Sequence, residues 1–508
     1  MSFSYGSHGL VSVTNLPGGN LDGRTCPVRL SKMKIFVTFF IIVSLSTTPL
    51  LMAAEKQAHR LLVLTDMGAD PDDEQSLVRL LLYANQIDIE GIVATTSVWQ
   101  KNRIRPDFIA TILDGYEKVR PNLLLHEPGY PTADSLRSLV KLGLSRYGML
   151  GVGEGMDSEG SDWIIKLLEK DDDRPLWISV WGGSNTLAQA LYKIDKTKSA
   201  EEVNRLVSRL RVYTISDQDD SAAWMRKTFP NLFYIVTPGD DYGQATWIAI
   251  NNIYEGIDNY TVSNEWLANN IQQGHGPLGA AYPDVAWGME GDTPAFLSLI
   301  PNGLNNAERP NWGGWGGRYE LGIPDFAKVK EGDSDVVAEP ETRPIWTNAS
   351  DNYVPYLTGE YKRAVTRSDK TFSGNHVTLW RWRDDFQNDF AARMDWCTLS
   401  YEGANHPPVP HLNHPGEITV KSGQGFTLDA YGSSDPDGDS ISYLWFHYPE
   451  AGTYSKTINV EGAENVDRAN FTAPKVDEEV TAHFILKLTD KGSPPLSRYK
   501  RVIVTIVP

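Results

Sequence analysis

From residue 59 onward, short apolar runs alternate with longer stretches in which apolar positions recur at helical spacing. Residues 61–64 and 89–94 are almost wholly apolar, the pattern of strands buried on both faces, and residues 75–83 between them carry a helical period. Further strands are predicted at 123–125, 177–180, 212–215 and 233–236, and helices at 163–168 and 186–194. Strand and helix in alternation predict an α/β fold, a mostly parallel sheet with helices on both faces. In such sheets the ligand crevice lies at the carboxyl ends of the strands.

After about residue 300 the pattern breaks into Trp, Gly and Asn, as in Trp312-Gly313-Gly314-Trp315-Gly316-Gly317, which reads as an active-site or packing loop. An amphipathic run at 383–396 predicts a last helix, and the tract around Pro407, Pro408 and Pro410 reads as a linker. Beyond it, period-two segments at 425–430, 440–446, 482–488 and 501–507 predict an immunoglobulin-like β-sandwich. The expected organisation is therefore an α/β domain over 55–404 and a sandwich over 405–508, each folding by itself. The turn Ser434-Asp435-Pro436-Asp437-Gly438-Asp439 resembles that of cadherin-like and polycystic-kidney-disease-type modules. It also reads as an Asx-rich turn without metal.

The N-terminal end changes the picture of location. Lys32 and Lys34 precede an apolar run at 35–45, and Ala53-Ala54 lead into the polar Glu55, the grammar of a signal peptide cleaved near Ala54. Residues 1–54 are thus expected to be leader, and the mature chain secreted or periplasmic without a membrane span. The 508-residue chain carries 47 Lys plus Arg against 65 Asp plus Glu. Its net charge of −18 opposes any broad grip on phosphate backbones, so nucleic acid is excluded as a partner. Of two cysteines, Cys26 lies in the leader, leaving Cys397 without an intramolecular partner. Whether copies of the chain assemble with one another is left open.

Directly after the first strand comes Asp66-Met67-Gly68-Ala69-Asp70-Pro71-Asp72-Asp73-Glu74, then the first helix. Like charges so close destabilise one another unless a cation neutralises them, and hard divalent cations prefer carboxylate oxygens. Capping of the helix would account for one or two of the acids. A strand followed by D-x-D-P-G-x-D-D opens the nucleoside hydrolases, and this loop resembles it. Leu64 stands where that motif has its first aspartate, and two residues are inserted before Asp72. With an immunoglobulin-like part appended, the chain resembles the secreted nucleoside-hydrolase-like family labelled cellulose-binding.

The resemblance implies a divalent cation, Ca²⁺ or Mg²⁺. It implies Asp66 as ligand and general base, Asp73 as ligand and Asp72 as holder of sugar hydroxyls. Trp181, in Val180-Trp181-Gly182-Gly183-Ser184-Asn185, would give its carbonyl to the metal, and Asn185 would face the substrate. Asp292, in Glu290-Gly291-Asp292-Thr293-Pro294, would complete the shell, although it equally reads as an N-cap. His275 in a Gly-rich loop is a candidate general acid, or a structural histidine.

The loop after the second strand carries Trp99, Lys101, Arg103 and Arg105. Trp stacks on sugar faces and Arg or Lys recognises carboxylates, so this loop points to an anionic oligosaccharide or polysaccharide, unless its cations are engaged in solvated salt bridges. The resulting expectation is a metal-dependent carbohydrate-active enzyme in polysaccharide degradation, leaning to water elimination at a terminal uronic acid. Two alternatives stand beside it: a glycoside or nucleoside hydrolase that activates water at the metal, and a non-catalytic polysaccharide-binding protein.

Overall fold

In the computed structural model, the described residues are 58–238, 242–244, 246–325, 339–358, 365–367, 370–458 and 465–508. The expected leader lies outside them. An eight-stranded sheet organises the first part. Its strands are β1 (His59–Thr65), β2 (Ile87–Ala94), β3 (Val140–Leu142), β4 (Leu176–Val180), β5 (Leu210–Thr214), β6 (Phe233–Ile235), β7 (Tyr319–Gly322) and β8 (Ile345–Asn348). The spatial order is β3-β2-β1-β4-β5-β6-β8-β7, parallel throughout except for antiparallel β7.

Strand β1 shows why the apolar runs are continuous. Leu61 and Val63 enter one hydrophobic core, and Leu62 and Leu64 enter another on the opposite face. Helices α1 (Asp72–Leu81) and α2 (Pro106–His126) pack on the first face, and α4 (Glu159–Glu169) and α5 (Asn185–Thr197) on the second, α3 (Ala133–Ser138) being a short turn between. The chain leaves β1 towards β2 on one side and returns at β4 on the other. A crevice therefore opens where β1 and β4 end. The strand expected at 123–125 is instead the last turn of α2. Only Leu123 faces the core, while Leu124 and Leu125 are 38% and 59% exposed, so the short apolar run belonged to a helix with one buried stripe.

The sandwich pairs a four-stranded sheet, ordered Glu417–Lys421, Ser497–Val507, Val480–Thr489, Ser442–His447, with a two-stranded one, Gly425–Asp429 and Arg468–Thr472. Trp445, Phe471, Phe484 and Leu486 fill its core. Ile485, which points the other way, joins the core of the α/β part together with Tyr448 and Tyr499. Beneath them lies the helix Arg383–Asp395. Its Asp385 accepts hydrogen bonds from Lys487 (2.6 Å), Ser497 (3.0 Å) and Tyr499, and its Asp389 pairs with Arg498 at 2.5 Å. The Trp-Gly loop packs at this junction, with Trp315 fully buried and Gly313, at φ +71°, leaving no room for a Cβ beside the Tyr448 hydroxyl.

Residues 57–508 form one compact unit, and one hydrophobic core takes residues from both parts. No helix of the described residues is long and apolar enough to cross a membrane.

Thermal unfolding of the chain is expected to show a single transition. Tyr499→Ala should lower stability by about 3 to 5 kcal/mol, the range for emptying a large aromatic site. Two well-separated transitions in calorimetry, the second unchanged by Tyr499→Ala, would contradict a shared core.

Candidate active site

At the carboxyl ends of β1 and β4 a cleft of about 390 Å³ is lined by Asp66, Asp70, Asp72, Asp73, Asp292, Trp99, Trp181, Gln218, Tyr242, Trp247 and Trp287. Asp66, Asp72, Asp73 and Asp292 are buried, at 2 to 4% exposure. Oxygens of Asp70, Asp72 and Asp73 lie within 4.8 Å of one another. The inserted Asp70 is thus part of the tightest group.

The local sequence dictates this convergence. Strand β1 ends at Thr65, whose hydroxyl donates to Asp73. Pro71 precedes α1 and makes no side-chain cap; Asp70 and Asp72 accept from the first amides of the helix, which leaves Asp66, Asp73 and Asp292 outside any capping role. Gly182 lies so close to Asp66 that any Cβ there would collide with its carboxylate. Trp247 donates from Nε1 to Asp72 Oδ2 at 2.6 Å and presses on Gly291, which has no space for a side chain. Asp292 follows Glu290, a non-glycine residue at φ +52°. Such a backbone costs free energy and is held by the buried Glu290 carboxylate, which pairs with Arg79 at 2.5 Å and accepts from Tyr282 at 2.9 Å. Asp292 does not cap the helix that follows, and its Oδ2 is buried without a hydrogen-bond partner.

Burial is the first cause of every shift in the cluster. It pushes the Asp66 carboxyl up to about 6, with Asp70 adding repulsion and a Ser97 hydrogen bond pulling back. Asp72, Asp73 and Asp292 are raised well above the usual carboxyl value by burial first and then by neighbouring acids, Asp70 and Asp66 foremost for Asp72, Asp66 and Asp72 for Asp73, and Asp72 and Asp73 for Asp292. Glu74, at the first turn of α1, rises to about 7 for the same reason. The donor set is all hard oxygen, one member is orphaned, and the charges repel: the residues fit a divalent cation. Trp181 lines the cleft, and its carbonyl accepts from Gln218 Nε2 at 2.6 Å.

Several residues singled out from the sequence lie elsewhere. His275 is buried beside Asp395, Nε2 to Oδ1 3.1 Å, and is not part of the cleft lining. Asn185 is consumed in packing, donating to the Arg146 carbonyl at 2.6 Å and accepting from Thr95 at 2.9 Å. Arg105 pairs with Asp107 at 2.6 Å, Arg103 donates to Gln100 at 2.8 Å, and Lys101 sits 5.2 Å over the Tyr147 ring. Of that loop, Trp99 alone lines the cleft, 63% exposed, its Nε1 donating to the Tyr242 hydroxyl at 2.9 Å. Trp287, 81% exposed, Tyr242, Trp247 and Gln218 were not singled out. Trp247 lies on the short 3-10 helix Thr246–Asn251 and the others in irregular segments, with no periodicity to mark them.

The family model described as cellulose-binding Sde182, nucleoside hydrolase-like domain, matches residues 60–319, and the one described as cellulose-binding protein Sde0182, C-terminal domain, matches 425–506. The chain belongs to this family. A nucleoside hydrolase-related hypothetical protein from Saccharophagus degradans, described as associated with carbohydrate metabolism, is 38% identical in its solved structure. The match covers 89% of this chain and 100% of that one at a TM-score of 0.72. The solution structure of the PKD domain from KIAA 1837 protein is 24% identical over 21% of this chain and 93% of that one, with a TM-score of 0.16. No curated protein matches. Every described residue lining the cleft lies inside the family's nucleoside hydrolase-like segment.

Because the folded value of Asp66, about 6, lies above its unfolded value near 4, this carboxyl stabilises the metal-free fold at acid pH. That contribution is lost as pH rises through about 6. A cation competes with these protons, so Ca²⁺ or Mg²⁺ should raise the melting temperature most above pH 7 and little below pH 5. Asp73→Ala should abolish most of the gain. A metal-induced gain that is independent of pH, or untouched by Asp73→Ala, would refute the assignment.

Proposed function

We propose that the chain is a divalent-metal-dependent carbohydrate-active enzyme that hydrolyses glycosidic bonds. The observation that carries this reading is the cleft itself. Buried carboxylates form its floor, tryptophans and a tyrosine form its walls, and no Lys or Arg is among its described lining residues. Aromatic faces suit the apolar side of a sugar ring, and carboxylates with a cation suit its hydroxyls. When bound, the cation would polarise hydroxyls and favour ionisation of water at neutral pH.

The chain's own residues then have separable tasks. Asp66, buried at the end of β1 and lining the cleft, is placed to accept a proton from a water in the cleft. Asp72, fixed by the Trp247 indole, orients sugar hydroxyls. Trp99, tethered to Tyr242, and the exposed Trp287 offer the stacking surfaces. The family description and the carbohydrate association of the Saccharophagus protein support this reading, and a signal peptide would place the enzyme where polysaccharides are met.

One observation keeps water elimination at a uronic acid as a second reading. Lys101 and Arg103, two and four residues after the cleft-lining Trp99, are exposed, so a carboxylated substrate stacked on Trp99 would pass near them.

Neutral and uronate-containing oligosaccharides incubated with the protein and Ca²⁺ separate the readings by product mass. Hydrolysis adds water across a bond and releases a reducing end; elimination removes water and creates an unsaturated product absorbing in the near ultraviolet. Asp66→Asn should lower the rate by at least about 100-fold, the contribution of a positioned base. Trp247→Phe should cost about 1.5 to 3 kcal/mol of transition-state binding, as for a hydrogen bond to a charged group. Retained binding without turnover on any substrate, unaffected by Asp66→Asn, would leave a binding protein and defeat both readings.

A further inference from the structure

A second cavity, of about 420 Å³, opens where the two parts of the chain meet, between the end of α2, the loop 301–303, the tract 407–410 and the strand Ser497–Val507. It shares no described lining residue with the acidic cleft. One wall is a stack of rings. His126 Nε2 donates to the Leu399 carbonyl at 3.0 Å, and its Nδ1 meets His406 Nε2 at 3.0 Å. The other nitrogen of His406, Nδ1, lies 3.0 Å from Asp437. Held at both ends, the His406 ring stacks on Trp396 at 5.1 Å and on Tyr401 at 3.9 Å between centroids. Trp396, His406 and His126 are buried, whereas Tyr401 is 36% exposed. The stack fixes the tilt of the Tyr401 ring and leaves part of it open, which makes an aromatic platform at the cavity.

The polar groups around this platform are unevenly satisfied. Glu127 is engaged by Arg393 at 3.4 Å and Asn85 at 2.6 Å, and Arg498 by Asp389 at 2.5 Å. Asn302, 1% exposed, accepts at Oδ1 from the amides of Leu304 and Asn305, both at 2.9 Å. Two N–H groups on one oxygen fix which way the side-chain amide is turned, and its Nδ2 is left buried without an acceptor. Lys500, half-buried in the lining, forms no ion pair among the described residues. Both unmet groups are donors, and one of them is a cation.

A ligand that satisfies this cavity brings acceptor oxygens, negative charge and a flat face of C–H groups. A sugar ring carrying a carboxylate has all three. We infer that the cavity between the two parts is a second binding site, for an acidic oligosaccharide, with a pyranose ring against Tyr401 and its oxygens at Lys500 and Asn302 Nδ2. Pro407, Pro408 and Pro410 stiffen the wall, since each has a fixed φ and no N–H to satisfy, so little order remains to be imposed on binding. The site is independent of the cation and of the chemistry proposed for the cleft. Its task is to retain a sugar chain on the protein.

The test uses the full chain carrying Trp99→Ala and Trp287→Ala, with chelator present, so that the stacking surfaces and any metal of the cleft take no part and failure of the hydrolase reading does not affect the result. Hexamers of galacturonate and of mannuronate, and their carboxyl-reduced counterparts, are titrated into it by calorimetry. One site per chain is expected for at least one acidic hexamer. Tyr401→Ala should weaken it by about tenfold or more, and Tyr401→Phe, which keeps the ring face, by less than about twofold. Lys500→Met should cost about tenfold or more on the acidic hexamer, as for a hydrogen bond to a charged group, and less than about twofold on the reduced one. Lys500 stands outside the ring stack, so its variant keeps the test decisive even where Tyr401→Ala disturbs the fold. Absence of binding by both acidic hexamers at millimolar concentration would overturn the proposal. So would equal affinity for acidic and reduced hexamers, or binding that Lys500→Met leaves unchanged.

Discussion

Mutual repulsion among buried carboxylates at the end of β1 is the constraint on which the rest of the structure depends. Asp66, Asp72, Asp73 and Asp292 are each nearly inaccessible, and each is pushed up by burial and by its neighbours. Left to themselves such groups spread apart or protonate. They stay together because each is fixed by a different rigid element: Asp66 by β1 and the close backbone of Gly182, Asp73 by α1, Asp72 by the Trp247 indole, and Asp292 by the strained Glu290. A cluster held against its own repulsion is preorganised for a cation, since the free energy of assembling it is already supplied by folding.

The charge distribution around the cleft has a related logic. A guanidinium or ammonium group inside it would neutralise the acids permanently and remove their use as ligands. The basic residues near the mouth are instead engaged elsewhere, Arg105 with Asp107 and Arg103 with Gln100. Uncharged aromatic groups take the walls. Their faces attract the C–H side of a sugar, and their polar edges, as in Trp99 with Tyr242 and Trp247 with Asp72, lock the walls without adding charge.

What the sequence disclosed follows from how local each signal is. The acidic loop and its flanking strand and helix occupy consecutive residues, so the clustering of acids and its place at a strand end were readable together, as was the repeating strand-helix order. Asp292 was readable through Glu290-Gly291-Asp292-Thr293-Pro294. That its side chain makes no cap and leaves Oδ2 unpartnered is visible only in the fold. Trp247, Tyr242 and Trp287 reach the cleft from segments without period, across more than 170 residues from the acids they meet in the case of Trp247 and Asp72, and nothing local marks such a pairing. His275 and Asn185 have side chains suited to chemistry, but tertiary contacts with Asp395 and with Arg146 and Thr95 engage them. The stretch 123–125 shows the converse failure, in which three leucines look alike in sequence although only Leu123 is buried.

The shared core ties the sandwich to the cleft through consecutive contacts. Tyr499, Lys487 and Ser497 of the sandwich hold Asp385, in the first turn of the helix Arg383–Asp395. The next residues of that helix hold Arg79: the Phe386 carbonyl accepts from Nη1 at 3.1 Å, the Gln387 side chain accepts from Nη2, and the Phe390 ring lies 4.1 Å from its guanidinium carbon. Arg79 in turn pairs with Glu290, whose left-handed backbone aims Asp292 into the cleft. Every link except the half-buried Lys487 is buried, and a half-satisfied network of this kind is worse than an apolar one, so loss of the sandwich contacts would be felt at Arg79 and then at Asp292. The β-sandwich is therefore part of what supports the acidic site, and that support requires the two parts to share one core where a flexible linker would have let them move apart.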